Sequence, residues 1–400
     1  MYEFPVAYFN SNDGTSRLAF GDGPFLKLTE DDPLSQIQQF VDENKGSYIL
    51  MNLSYDLKNH IENLTSENAD NIGFPLGILW VPKYLVDLNK EHLHFVQGQS
   101  DRTSIEFIDY FMEEEIDQNF HPFPYEFKAR ISKEEYLKHV VELKEEIQQG
   151  TIYEVNFCQE FFAENVEINY PLDSYFKLNQ LTRAPFSSFF SIDDFMIFCG
   201  SPERYLMRQG NKLVSEPIKG TSRRGTTPEE DEQLKTQLLN DPKERAENVM
   251  IVDLVRNDLS RVALPNSVNV EELFGIYTFE TVHQMISRIS CEVGPEIQFK
   301  DILRASFPMG SMTGAPKLSA MNLIEKHESF KRGLYSGSIG YIKPNGDFDL
   351  NVVIRTLIYN KTNQNLSCSV GGAITNQSDP EKEYEECLVK VKRILDGMNA

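Results

Sequence analysis

A mixed α+β fold is the architecture this chain predicts, and three observations lead there. Helix-like and strand-like stretches are interspersed without the regular strand–helix–strand beat of a doubly wound sheet. The hydrophobic and charged fractions, 40% and 25%, are those of a globular protein with a sizeable interior. At 400 residues the chain is too long for one small core and suits one large or two modest domains.

Residues 1–125 read as an N-terminal lobe of short strand-like runs, Gly77–Trp80 among them, broken by polar turns. An acidic stretch followed by prolines and aromatics, residues 113–127, reads as the connection to a second lobe, 126–400. Beyond it the signals sharpen. Ser132 with Glu135 three residues on forms a capping-box pattern and Gly150 offers a stop, so 133–149 predict a helix. Over 151–161, Val155, Phe157 and Gln159 alternate with Glu154, Asn156 and Cys158, the period of a strand. Further strands are expected near 187–199, 335–342, 348–359 and 366–374, and helices near 229–239, 243–259, 316–327 and 380–397.

The net charge of −22 leaves no basic surplus to neutralise phosphates, which argues against nucleic-acid binding. No run of about 18 apolar residues exists, so no membrane span is expected. Residues 1–5 carry neither a basic n-region nor an apolar h-region, and a cytoplasmic location is expected. Five scattered cysteines, Cys158, Cys199, Cys291, Cys368 and Cys387, read as buried thiols of a reducing compartment, not a disulfide frame or zinc site.

The most telling short segment is 216–221, where Lys219 stands between Pro217-Ile218 and Gly220. A lysine desolvated in such a rigid setting has its pKa pushed down and its amine made a nucleophile; a solvated surface turn is the plainer alternative. In 243–259, the residues Val249, Met250, Ile251, Val252, Leu254 and Val255 cover nearly the whole helix circumference, which predicts a helix buried all round. Glu244 and Glu247 lie on that helix at i, i+3, and buried carboxylates need either a partner or a cation. Arg245 and Arg256 are the partners on hand, and a metal ion is the other option. On the C-terminal helix Glu383, Glu386 and Lys390 form a stripe apart from the apolar one of Tyr384, Leu388, Val391 and Leu395. An exposed charged face explains such a stripe, yet two carboxylate pairs on two helices also suit Mg²⁺.

Residues 308–317 combine hydroxyls and bare backbone before a helix, an anion-binding arrangement, but lack the Gly-Lys-Ser/Thr run of a nucleotide loop. A carboxylate is the expected ligand. Gly371-Gly372-Ala373 permits a second close backbone approach, and Arg355 a bidentate carboxylate clamp. His283 reads equally well as a satisfied core histidine or a catalytic one.

Taken in order, Ser201-Pro202-Glu203-Arg204, Pro217 to Thr221, Ala246 to Asp258, the 308–317 loop, Tyr335 to Tyr341 and Ser378 to Glu386 resemble the chorismate-utilising enzymes. That family includes anthranilate, aminodeoxychorismate, isochorismate and salicylate synthases. The resemblance runs through about residues 130–397 and is looser before them. It implies two large antiparallel sheets packed on each other with helices outside. Lysine at 219, where anthranilate synthase-like members carry alanine, resembles component I of aminodeoxychorismate synthase. The resemblance then implies a covalent adduct of Lys219 with chorismate, Glu203 as general acid/base, and His283 near the ring. It implies Mg²⁺ on Glu244, Glu247, Glu383 and Glu386. Ser311, Thr313, Tyr341, Arg355 and the backbone of Gly371, Gly372 and Ala373 match substrate-binding positions. Glu154 departs from the family's pattern: relatives that add water carry lysine there and many amine-adding members glutamine. No cysteine lies in a glycine-flanked nucleophile turn, so ammonia is expected from a separate glutamine amidotransferase subunit. Anthranilate synthase component I and a non-catalytic chorismate-binding regulatory subunit are the alternatives.

Overall fold

The computed structural model describes residues 3–88, 93–116, 121 and 123–399. Part of the expected connection, residues 117–120 and 122, lies outside the described residues. Two antiparallel sheets dominate, of 11 and 10 strands among the described residues. The first runs from Gly314–Ala315 through Glu154–Ala163, Asn365–Ile374, Thr356–Asn360, Phe195–Ser201 and Phe186–Ile192 to Val6–Asn10 and beyond. The second runs from Ile218–Arg223 through Val282–Glu292, Lys212–Glu216, Arg204–Gln209, Phe348–Asn351 and Ser338–Ile342 to Ile49–Leu53 and beyond.

Residues before 126 supply strands to both sheets. Val6 lies opposite Ser191, and Leu53 opposite Ser338, so each N-terminal strand is hydrogen-bonded into a sheet built mainly by the later chain. Side-chain alternation then sorts the two faces. Ile197 and Cys199 share an apolar cluster with Leu50, Ile78, Leu206 and Leu350 of the second sheet. Met196 and Phe198, between and beside them, join a separate cluster with Tyr136, Leu178 and Val391 from helices on the outer face. Burying one such large side chain contributes roughly 1.5–3 kcal/mol, which fixes both register and layer order.

The helix expected at 133–149 is Lys133–Gln148, with the Ser132–Glu135 capping box formed. All five cysteines are buried and free. The single strand expected at 348–359 is instead two, Phe348–Asn351 in the second sheet and Thr356–Asn360 in the first. Periodicity alone misses this break, because Val352 and Val353 in the crossing are as apolar as a strand. The helix Pro242–Ser260 is amphipathic, not buried all round: Ile251, Val252 and Val255 are buried while Val249 is exposed. It lies against one side of the sheet and its outer surface meets solvent, so contiguous apolar residues overstate its burial. No helix among the described residues is long and apolar enough to cross a membrane.

Candidate active site

The chain changes sheets twice at one place. Phe195–Ser201 of the first sheet leads through Pro202 and Glu203 into Arg204–Gln209 of the second, and residues 352–355 make the return crossing. The crossings are tied together by Gly200 N–H donating to the Arg355 carbonyl at 3.1 Å and Val352 N–H donating to the Glu203 carbonyl at 3.0 Å. Arg355 takes φ of +53°, an uncommon conformation for a residue with a Cβ and one that the surrounding structure must hold. Beside the crossings opens a cleft of about 560 Å³, within the range of small-molecule sites, and Glu203 and Arg355 both line it.

Lys219 lines the same cleft from Ile218–Arg223, the last strand of the second sheet. Ile218 faces Ile286 but Thr221 faces Gln284, so one extra residue is bulged out at Lys219-Gly220. A bulge re-aims a side chain, and Gly220 at φ +92° makes this one possible. A Cβ on Gly220 would come 3.1 Å from the Glu244 carboxylate. Lys219 is 9% exposed, and its Nζ lies 2.6 Å from Oε1 of Glu154, which is 1% exposed. The expected depression of the lysine pKa is corrected here. Burial pulls it down, but Glu154, Glu247 and Glu203 together outweigh burial and raise it, so the resting amine is an ammonium. Burial has the opposite sign on Glu203, pushing it up to about 7 against the pull of Ser311, the Ile218 backbone, Lys219 and Arg355.

Glu244, Glu247, Glu383 and Glu386 all face this cleft. Neither arginine considered from sequence is their partner: Arg245 reaches the Leu239 carbonyl and Arg256 pairs with Asp253. Glu247 is 6% exposed, its Oε1 accepts no hydrogen bond among the described residues, and burial pushes its pKa to about 7. Lys243 Nζ sits 3.7 Å from that oxygen and 3.4 Å from Glu383 Oε1. Oxygen donors only, one of them orphaned, and an ammonium already among them make a donor set that fits Mg²⁺.

Gly371, Gly372 and Ala373 line the cleft from Asn365–Ile374. A Cβ at Gly371 would fall 2.4 Å from Cys158 Sγ, so this approach is open to glycine alone. Ser311 also lines the cleft. Three other expectations are corrected. Thr313 is fully buried outside the lining, its hydroxyl donating to the Met309 carbonyl at 3.1 Å, so it braces the loop from within. Tyr341 falls within Ser338–Ile342 and packs on Phe9, Tyr48 and Arg17; strand geometry carries it to another part of the molecule. His283 is fully buried, Nε2 being 2.8 Å from Asp231 and Nδ1 3.0 Å from Thr278, so both ring nitrogens are engaged away from the lining.

Among the lining residues that escaped the sequence reading, Tyr335 and Arg393 carry polar groups suited to a ligand. Tyr335, six positions before Tyr341, faces the cleft, with its hydroxyl 3.7 Å from Cys158 Sγ. Arg393 lines the cleft from the last helix, and its charge adds to burial in lowering the Arg355 pKa to about 10. Arg393 lies three residues, just under one turn, beyond Lys390 on a charged stripe, a signal present but not distinctive.

A buried lysine, a buried glutamate with a raised pKa, an acid cluster and two arginines in one cleft form a candidate site for a small polar molecule. Residues 5–396 match the chorismate binding enzyme family, and the chain belongs to it. Its relatives narrow the comparison. Aminodeoxychorismate synthase component 1 of Escherichia coli is 40% identical over 270 residues, 68% of this chain and 59% of that protein. Anthranilate synthase component 1 of Aquifex aeolicus is 37% identical over 275 residues, 68% of this chain and 54% of that protein. The matches thus span about three fifths of the length of these relatives. Anthranilate synthase component I from Streptococcus pneumoniae superposes with a TM-score of 0.81 at 27% identity, covering 95% of this chain and 92% of that one.

Proposed function

We propose that this chain aminates chorismate to 4-amino-4-deoxychorismate, as the large subunit of an aminodeoxychorismate synthase fed with ammonia by a separate glutaminase, on the route to 4-aminobenzoate and folate. The observation that carries the reading is Lys219, buried in the cleft against Glu154 at 2.6 Å. The Lys219 ammonium passes a proton to Glu154, and the neutral amine attacks C2 of the ring. The C4 hydroxyl leaves as water with the proton of Glu203, a group whose pKa of about 7 suits an acid at neutral pH. Ammonia then adds at C4 while the C2–N bond breaks. Glu203 takes the excess proton of the new ammonium, and Lys219 recovers its own from Glu154. The sum is chorismate plus ammonia giving aminodeoxychorismate plus water, one displacement divided into two.

Glu247 and Glu386, with Glu244 and Glu383, would hold Mg²⁺, which supplies a fixed positive charge for the ring carboxylate. Arg355, Arg393 and the backbone of Gly371 to Ala373 receive the enolpyruvyl carboxylate. The partner glutaminase rests on the "component 1" names of relatives and on the sequence reading.

Mass spectrometry of protein quenched during turnover of chorismate with Mg²⁺ and ammonium tests the reading. An adduct on the peptide containing Lys219, with aminodeoxychorismate as product, is expected. Anthranilate and pyruvate as the products, with Lys219 unmodified, would replace this reading by anthranilate synthesis.

A further inference from the structure

Away from the cleft, two helices bring three metal-ligating side chains to one point. His139 and Glu142 are three residues apart on Lys133–Gln148 and so share a face. His327 is the last residue of Lys317–His327. His139 Nδ1 lies 3.1 Å from His327 Nδ1, and Glu142 Oε2 lies 3.5 Å from His327 Nδ1 and 3.7 Å from His139 Nδ1. The point equidistant from the corners of a triangle with these sides is about 2.0 Å from each, the length of a zinc–nitrogen or zinc–oxygen bond. None of the three residues lines the cleft.

From this geometry we propose a second metal site, distinct from the acid cluster, that takes a borderline divalent cation of the zinc class on His139, His327 and Glu142. Two imidazole nitrogens with one carboxylate oxygen select zinc, cobalt or nickel over magnesium, which prefers an all-oxygen shell. The side chain of His327 is 3% exposed, while those of His139 and Glu142 are 26% and 39% exposed, which leaves a fourth position open to solvent. The helix end adds partial negative charge where the cation would sit. Lys326, next in the chain, is drawn off to Glu146 at 3.6 Å. A plain imidazole–imidazole hydrogen bond also accounts for the 3.1 Å contact, but it does not require Glu142 to converge on the same point.

The site's position suits a brace. Lys133–Gln148 leads into the strand that carries Glu154, and Lys317–His327 follows the loop that carries Ser311. A bound cation would lock both approaches to the cleft.

Chelator-treated protein titrated with Co²⁺ and then Zn²⁺ provides the test, with His139→Ala and Glu247→Gln beside the unaltered chain. One equivalent of Co²⁺ with the visible absorption of a four-coordinate nitrogen site is expected, displaced by Zn²⁺. His139→Ala is expected to lose that spectrum and bind Zn²⁺ at least ~30-fold more weakly, while Glu247→Gln keeps both. The half-exposed position of His139 makes the variant compatible with folding, and Glu142→Gln provides a second. Unchanged Zn²⁺ affinity in both His139→Ala and Glu142→Gln, or a cobalt spectrum lost only in Glu247→Gln, would overturn the proposal, as would no Zn²⁺ binding by the unaltered chain below millimolar concentration.

Discussion

Lys219 and Lys243 both extend an ammonium among carboxylates of one cleft, but the first is 9% exposed and 2.6 Å from Glu154, while the second is 36% exposed and no nearer than 3.4 Å to Glu383. Lys219 is aimed by a bulge at the end of a sheet, so it cannot withdraw without rebuilding the strand. Lys243 stands on the first turn of Pro242–Ser260 and can swing into solvent. In the function proposed above, the difference separates a reacting group from a placeholder: one charge is part of the framework, and the other occupies the position proposed for a divalent cation.

Removing the fixed charge has the largest expected effect. Lys219→Ala should lower the rate of chorismate amination by ~10³-fold or more, and should cost about 3 kcal/mol in urea unfolding because Glu154 is left buried without its partner. Lys219→Arg, which retains the charge but not the nucleophile, should recover most of the stability and none of the activity. Equal activity in all three proteins would erase the distinction between the two lysines.

A smaller effect comes from Glu203, whose folded pKa of about 7 stands above the ordinary carboxylate value. The folded state holds this proton more tightly than the unfolded one. Its stabilising contribution is therefore complete below about pH 4.5 and lost as pH rises through about 7. Glu203→Gln should slow amination by roughly 10²-fold, match the unaltered protein in stability near pH 4, and exceed it by up to about 3 kcal/mol at pH 8. An alkaline fall in kcat/KM with an apparent pKa near 7, absent from the stability of the variant, would connect the same group to both measurements.

The smallest effect belongs to the placeholder. Lys243→Ala should tighten Mg²⁺ binding by roughly three- to tenfold, since a competing ammonium no longer shares Glu247 and Glu383. Calorimetric titration with Mg²⁺ measures this directly. Weaker binding in the variant would make Lys243 a supporting residue instead.

Much of the site was legible because its motifs are local. Glu203 and Lys219 each sit in a short rigid run, and the acid pairs show as i, i+3 spacings within two helices. The cysteines and the capping box were legible for the same reason. Tyr335 and Tyr341 show where this ends. They occupy one motif six residues apart, and only the strand Ser338–Ile342 decides that the second packs on Phe9 while the first faces the cleft. His283 differs again: its type invites a catalytic role, but Thr278, opposite it on the paired strand, and the distant Asp231 hold its ring.

By itself the sequence determined most of the element types and the identity of the polar side chains that meet in the cleft, because periodicity, capping and side-chain chemistry act over a few residues. Only the tertiary structure decided that Lys219 rests as a paired ammonium, that Glu154 is its partner, and that Glu203 and Arg355 stand side by side. These follow from strands that cross between two sheets, and pKa values depend on charges brought within a few ångströms by segments more than sixty residues apart.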